Sequence, residues 1–555
     1  METIDIDVIL DGTVLFQLGY RASNYANLPA AIAAIGTTPG TLYIDSAQAV
    51  TDDLIIPETL SVVVFKPGLL TISSGKILTI NGSFQAGLFQ VLDGLGTAIF
   101  GNGSVKEVYP QWWGGNGLGL VDQTTYIEKA LDSGPHVHIT SGIWLCNISI
   151  ADVLNKTISG DGDNTILKTA DDLSPVITIE STSVQVIGIR INNLKIDGNN
   201  TSYGIYMTAS TPYVVTQSRV ENIFFEKCTQ SIRIESGTDA EECYLNYFNN
   251  IRIANIPDAV DPARNYGIYI NKGVYNIFSN VNITGVGDYC YALFNYATNN
   301  SFLDVVTDGV IRNGGQNASF YNTTIETIAC TTPPTEVDEV FRNDGYNSTI
   351  IGLTIVNCDS AKCLYGLNVW NPNHFITKVR VYGALQPDYA VIINDGSSGI
   401  LSNVEGGLYT SFQSVSEFIR SQWFIRNAGE IGRTEIFANA SPVSGYYDQG
   451  DKAWNSEPAA SGTPGWVCVK RIDTAIRIQA VATNVIIEVD ATTGMIAGDI
   501  VGITLDNGVI HWTDIDTVND GDTMTITAGI PSGRTAEIDA IVYTNRWKAM
   551  ANLSA

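Results

Sequence analysis

A degenerate repeat, apolar-x-Asn-apolar-x-apolar, limits what this chain can fold into more than any other feature. It reads Ile191-Asn-Asn-Leu-Lys-Ile196, Val220-Glu-Asn-Ile-Phe-Phe225, Phe248-Asn-Asn-Ile-Arg-Ile253, Phe278-Ser-Asn-Val-Asn-Ile283, Phe302-Leu-Asp-Val-Val-Thr307 and Phe320-Tyr-Asn-Thr-Thr-Ile325. Looser copies follow at Ile350–Ile355, Ile376–Val381 and Leu401–Gly406. The third position falls at Asn193, Asn222, Asn250, Asn280, Asp304, Asn322, Gly352, Lys378 and Asn403, at intervals of 18 to 30 residues. Inside each copy the apolar period is two, which is a strand period; a helical solenoid shows 3.6. Short strands recurring every two dozen residues or so build a stack of coils whose rungs lie about 4.8 Å apart.

The consensus has a physical reading. Apolar residues flank a tight corner and point inward, while the Asn at the corner hydrogen-bonds to the Asn of the coils above and below. A second strand set runs out of phase with the first: Tyr203–Met207, Ser231–Glu235, Tyr266–Ile270, Tyr289–Leu293, Tyr365–Val369 and Tyr389–Ile393. Two strand sets in one order predict an all-β chain, a right-handed single-stranded parallel β-helix continuous from roughly residue 136 to 410. Only Leu28–Ile35 and Asp122–Leu131 read as helical, the latter with Asp122 as N-cap.

Composition agrees and also excludes. Charged residues are 16% of the chain, too few for long surface helices, and Gly (52 residues) supplies turns. With 30 basic against 57 acidic residues the net charge is −27, which repels nucleic acid and anionic membranes. No basic-plus-apolar leader follows Met1, and no apolar run approaches ~18–20 residues, so neither signal peptide nor membrane span is expected. Release by lysis fits a protein working outside a cell. The eight cysteines are scattered and read as reduced, buried fillers. His136 and His138 share one face of a strand, and with no nearby carboxylate they read as structural; no metal or cofactor is expected.

Outside the repeat, Gly40-Thr-Leu-Tyr-Ile-Asp45, Val108-Tyr-Pro-Gln-Trp-Trp-Gly-Gly115, the Asn116-Gly-Leu-Gly loop and the Asp122–Leu131 segment resemble the lead-in of bacteriophage tailspikes of the pectate-lyase-like β-helix type. Gly450-Asp451, Trp454-Asn455 and Gly465-Trp466 resemble a short module found after such helices, and residues 493–547 resemble a β-rich terminal domain. Val121-Asp122-Gln123 departs from the Asp-Asp pair common in relatives. The resemblance implies a lead-in over 1–114, a capping loop and helix over 115–135, the β-helix over 136–440, the module over 441–470 and a terminal domain over 471–555. It further implies a homotrimer that docks on the phage tail through its N-terminal region and acts on bacterial surface polysaccharide.

The repeat register predicts the outward columns. Two residues past the corners lie Lys195, Phe224, Arg252, Asn282, Val306, Thr324, Thr354 and Arg380; four past lie Asp197, Glu226, Ala254, Thr284, Asp308 and Glu326. Asp197/Glu226 and Asp308/Glu326 are thus acids on adjacent rungs, and one of each unpaired couple should have a raised pKa. A glycosidase needs one protonated and one ionised carboxyl, so these four are the candidate catalytic residues. A rival cluster is the loop with Asp239, Glu241, Glu242, Tyr244 and Tyr247. With Arg252, Tyr266 and Tyr269 these make up the candidate substrate-binding set, since tyrosine rings offer flat apolar faces to sugars. In a Tyr-Gly-Ile-Tyr strand the two tyrosines are three apart, so one of each pair is expected in the core. Elimination would need a base such as Lys195, Arg233, Arg252 or Arg264. Basic residues are sparse, which favours hydrolysis, and a glycan-binding fibre that does not cleave would look alike.

Overall fold

The computed structural model describes residues 9–10, 13–14, 19–236, 242–259, 264–326, 339–356, 365–382, 389–393, 399–406, 412–414, 423–426, 435–445, 447–455, 457–458 and 462–550. The chain packs as two units: 1–370 with 380–392 and 406–413, and 371–379 with 393–405 and 414–555.

The first unit is a parallel β-solenoid. Its corner sheet stacks Arg190–Asp197, Arg219–Glu226, Tyr247–Ile256, Ile277–Val286 and Ser301–Thr307 in register. The bend falls where the repeat places it: Asn193, Asn222, Asn250, Asn280, Asp304 and Asn322 all have φ between 52° and 56°. Asn tolerates this left-handed conformation better than most L-residues, so one residue type serves both the bend and the ladder. The amides run up the stack from Asn222 to Asn193 (3.0 Å), Asn250 to Asn222 (2.7 Å) and Asn280 to Asn250 (3.2 Å). Asp304 keeps the ladder by accepting from Asn322 at 3.1 Å. Inside, Phe248, Phe278, Phe302 and Phe320 stack with centroids 4.4, 5.3 and 4.7 Å apart.

The second sheet runs Ile148–Ala151, Ile177–Ser181, Tyr203–Ala209, Gln230–Ile234, Tyr266–Ile270, Tyr291–Asn295, Ile311–Asn313, Glu339–Asn343 and Tyr365–Val369. A short third sheet, Val186–Ile187, Val215–Thr216 and Cys243–Tyr244, closes the coils there. Among the described residues, further asparagine ladders have no counterpart in the repeat consensus, and two of them pass side-chain amide hydrogen bonds over three coils. One is buried, with Asn295 donating to Asn313 and Asn313 to Asn343, both at 2.7 Å. The other is exposed, with Asn347 donating to Asn317 and Asn317 to Asn299, both at 3.0 Å.

Residues 40–100 hold three smaller parallel coils, whose first strands are Gly40–Ile44, Leu60–Val64 and Phe84–Ala86. Asn27 caps the helix Leu28–Ile35 by accepting from Ala30 N at 2.9 Å. The second helix is Thr124–Ser133, so its start is two residues later than expected. Asp122 precedes the cap residue Gln123 and still accepts from Thr124 N at 2.8 Å. The described cysteines, Cys146, Cys228, Cys243, Cys290 and Cys468, are buried thiols outside any disulfide. Among the described residues no helix is long and apolar enough to cross a membrane.

The second unit holds an antiparallel sheet in which Gly465–Ala475 pairs with Ile541–Ala549, which pairs with Ile500–Thr504. Its core includes Ile487, Val501, Ile503, Ile515, Met524 and Val542.

Candidate functional site

The acid column of the corner sheet has the expected register, with Asp197 beside Glu226. Its chemistry differs, because the acids are paired with cations. Lys195 Nζ lies 2.6 Å from Glu226 and Lys168 Nζ 3.8 Å from Asp197. The expected upward shift therefore fails at Glu226: the hydrogen bond from Lys195 pulls its pKa below the usual value. Arg252 pairs with Asp163 and lies over the Phe224 ring at 4.4 Å. Asp308 does have a raised pKa, but burial is the cause, set against hydrogen bonds from Gly285 N (2.7 Å) and Val286 N (3.3 Å). Glu326 is exposed one rung on, since Thr307 pairs with Ile325.

Of the rival cluster, Asp239 and Glu241 lie outside the described residues. Glu242 is buried and accepts from Thr211, so it is turned away from solvent. Tyr244 is part of the short third sheet, and Tyr247 is exposed at the start of a corner-sheet strand. The two histidines do share a face, but a carboxylate is close: His138 Nε2 is 3.0 Å from Asp161. Both rings also reach the Ser159 hydroxyl, at 2.8 and 3.0 Å. Among the described residues no three His, Cys, Asp or Glu side chains form a group able to hold a metal.

The second sheet concentrates the aromatic and cationic side chains. Tyr206, Arg233, Tyr269, Phe294, Arg312 and Arg342 occupy one outward column on successive rungs. Tyr266 and Tyr269 lie on the same side, with centroids 4.8 Å apart, as do Tyr203 and Tyr206 at 6.4 Å. This corrects the expectation that one tyrosine of each pair is core. Alternation slips at the glycine, so Gly267 and Ile268 are both buried, as are Gly204 and Ile205. A Cβ on Gly267 would come 2.5 Å from the Ala292 carbonyl, and one on Gly204 2.4 Å from that of Ser231. Only glycine lets the coils approach so closely, and that approach turns both rings outward.

Arg233 is the hub of this face. Its Nε donates to Glu235 at 2.8 Å and its guanidinium to Tyr203 Oη at 3.1 Å. It lies 5.1, 5.7 and 5.2 Å from the rings of Tyr203, Tyr206 and Tyr269. Farther along, Asp344 accepts from Arg342 at 2.8 Å and Arg312 at 3.2 Å, and Arg342 lies over Trp370 at 5.7 Å. Burial pushes the Tyr266 hydroxyl up to about 12, so it stays a neutral donor across the working pH range. Flat rings with polar edges, interleaved with oriented guanidinium groups and carboxylates, offer stacking surfaces and hydrogen bonds to sugar rings and their hydroxyls. Of the expected binding residues this face gathers Tyr266 and Tyr269, whereas Arg252 belongs to the corner sheet. Sequence reading weighed Arg233 only as a base for elimination and did not place Arg312, Arg342 or Trp370. Arg233 and Arg342 share a signal with Tyr206, Tyr269 and Phe294, each three residues past the start of its strand; Arg312, one past Ile311, and Trp370, one past Val369, fall outside that spacing.

No protein-family model matches the chain, and no curated protein matches it. Solved structures similar to it include ORF18 of Geobacillus virus E2, at 11% identity and TM-score 0.39 over 78% of each chain. Another is DFA-IIIase from Arthrobacter chlorophenolicus A6, at 14% identity and TM-score 0.42, covering 58% of this chain and 98% of that one. A third is the tailspike gp49 of Acinetobacter baumannii bacteriophage Fri1, a capsular polysaccharide depolymerase, at 12% identity and TM-score 0.32 over 80% and 86%.

Proposed function

We propose that this protein is a tailspike-type depolymerase that binds and cleaves a bacterial surface polysaccharide, capsule or O-chain, by hydrolysis. The observation that carries the reading is the second-sheet column of Tyr206, Arg233, Tyr269, Phe294 and Arg312, a rigid run of stacking and hydrogen-bonding groups several sugar units long. The sequence resemblance of the lead-in and the module supports the tailspike role, with a homotrimer docked on the phage tail through its N-terminal region and acting at the host surface. For chemistry, Asp308 is the candidate acid, because its raised pKa favours the protonated form that a leaving oxygen needs. Glu326, on the adjacent rung, is the candidate partner, with Asp197 and Glu226 as the more heavily neutralised alternative.

A second reading, binding without cleavage, is favoured by one observation: Glu235 and Asp344 on the aromatic face are both ion-paired to arginines. The test is incubation with a panel of capsular and O-chain polysaccharides, reading new reducing ends and absorbance near 235 nm (the unsaturated uronate left by elimination). Hydrolysis gives reducing ends without the absorbance, and Asp308→Asn and Glu326→Gln each lower the rate by about a hundredfold or more. Reducing ends accompanied by the absorbance mean elimination; tight binding with neither signal means a non-cleaving binder.

A further inference from the structure

The exposed ladder Asn299–Asn317–Asn347 occupies the turn that leads into the corner sheet, each residue two before its strand, Ser301–Thr307, Ser319–Tyr321 or Thr349–Ile351. Earlier coils place Asn155, Gly188, Gln217 and Leu245 at that turn, the three non-glycine residues with φ of 53° to 55° and Gly188 with 73°. Gly188 has no side chain with which to continue a ladder, and a Cβ there would come 2.6 Å from Asn155 Oδ1. The missing rung opens a cleft of about 430 Å³, lined by those turn residues and by Thr157, Arg190, Arg219 and Tyr247. The last four form one column on consecutive rungs.

Arg190 and Arg219 are therefore direct neighbours on the wall of a cleft, and neither has a carboxylate within 4.0 Å among the described residues. Arg219 lies 6.0 Å from the exposed Tyr247 ring. Most other arginines of this solenoid are matched to acids: Arg233 to Glu235, Arg252 to Asp163, and Arg312 and Arg342 to Asp344. In a chain with 57 acidic and 30 basic residues, two adjacent unmatched guanidinium groups are out of pattern. They repel each other across one rung unless an anion lies between them, and their planar donor forks suit an oxyanion. The nearest acid on that strand face, Glu221, stands two residues beyond Arg219 and makes no ion pair with either.

We propose that this cleft is a second carbohydrate subsite that seats an anionic group carried on a sugar, a uronate carboxylate, between Arg190 and Arg219, with Tyr247 under the sugar ring. The sugar part of the assignment rests on the glycan reading above; the anion part rests on the cleft alone. A free oxyanion such as inorganic phosphate has the same chemistry and is the other source to separate.

The test is calorimetric titration of the full chain with a galacturonic acid trimer, with inorganic phosphate and with neutral maltotriose. The subsite predicts binding of the acidic trimer, with affinity falling as salt is added, and a loss of about tenfold or more in R190A/R219A. Both arginines are exposed, so the variant is expected to fold, and its melting temperature is recorded alongside. Phosphate binding lost in the same variant, with no trimer binding, keeps the anion site but overturns the sugar assignment. Trimer binding unchanged in R190A/R219A overturns the subsite, as does failure of both anions to bind. Arg233→Ala with Tyr269→Ala is measured in parallel against the polysaccharide panel. If that pair has no effect there while the cleft variant loses the trimer, the main-site reading fails and the cleft stands.

Discussion

The corner sheet and the second sheet belong to the same coils and face solvent with opposite chemistry. On the corner sheet, alternation and the left-handed bend set the side chains, and the outward charges beyond the bend neutralise one another across rungs, Lys195 with Glu226 and Lys168 with Asp197. On the second sheet a glycine slip turns extra tyrosines outward, and the cations are cradled by rings as well as acids. The comparison separates the corner-sheet columns around Lys195 and Glu226, where cross-rung pairing serves the stack, from a second-sheet face organised to meet a ligand. Regular register gives the first; the second appears where the register is broken.

The largest effect expected from breaking the comparison is in the core behind the corner sheet. Phe278→Ala removes the middle of the phenylalanine stack and should cost about 3–5 kcal/mol in urea unfolding, with sugar affinity of the folded protein unchanged. Next comes the ladder. Asn250→Ala loses the hydrogen bonds to Asn222 and from Asn280 and forces alanine to φ 52°, for about 1–2 kcal/mol. Asn250→Gly should recover part of that, because glycine accepts the bend.

The smallest effect is a pair of opposite pH slopes, each within about 1 kcal/mol. Glu226 has a folded pKa below its usual 4.5, so its contribution is in place above that value and is lost as pH falls through the lowered one. Asp308 is held above its usual 3.8 by burial, so its contribution is full below that value and lost as pH rises through the raised one. Unfolding free energies from pH 3 to 7 should therefore show Glu226→Gln losing ground to wild type as pH rises, and Asp308→Asn gaining it. Slopes of the same sign would mean that the two acids are held alike.

The corner sheet was legible because asparagine marks five of its bends, Asn193, Asn222, Asn250, Asn280 and Asn322, and the period carries on to Asp304, Gly352 and Lys378, which also have positive φ. Its outward columns followed from counting by two. The second sheet was legible as strands but not as a face, because counting by two fails at Gly204 and Gly267 and sent one tyrosine of each pair to the wrong side. The ion pairs that neutralise Glu226 and Asp197 arise from coil-to-coil neighbours about thirty residues apart in sequence, so they needed the side-chain geometry as well as the register. The three coils of residues 40–100 escaped notice because their corners carry no common residue.

The most direct test of the account titrates one polysaccharide that the protein binds against two pairs of variants. Arg233→Ala and Tyr269→Ala alter the second-sheet face; Lys195→Ala and Arg252→Ala alter the corner-sheet columns. The account predicts that each of the first pair weakens binding by about thirtyfold, near 2 kcal/mol, and that each of the second leaves it within about twofold. Loss of affinity in the corner-sheet pair, with the second-sheet pair unchanged, would contradict it.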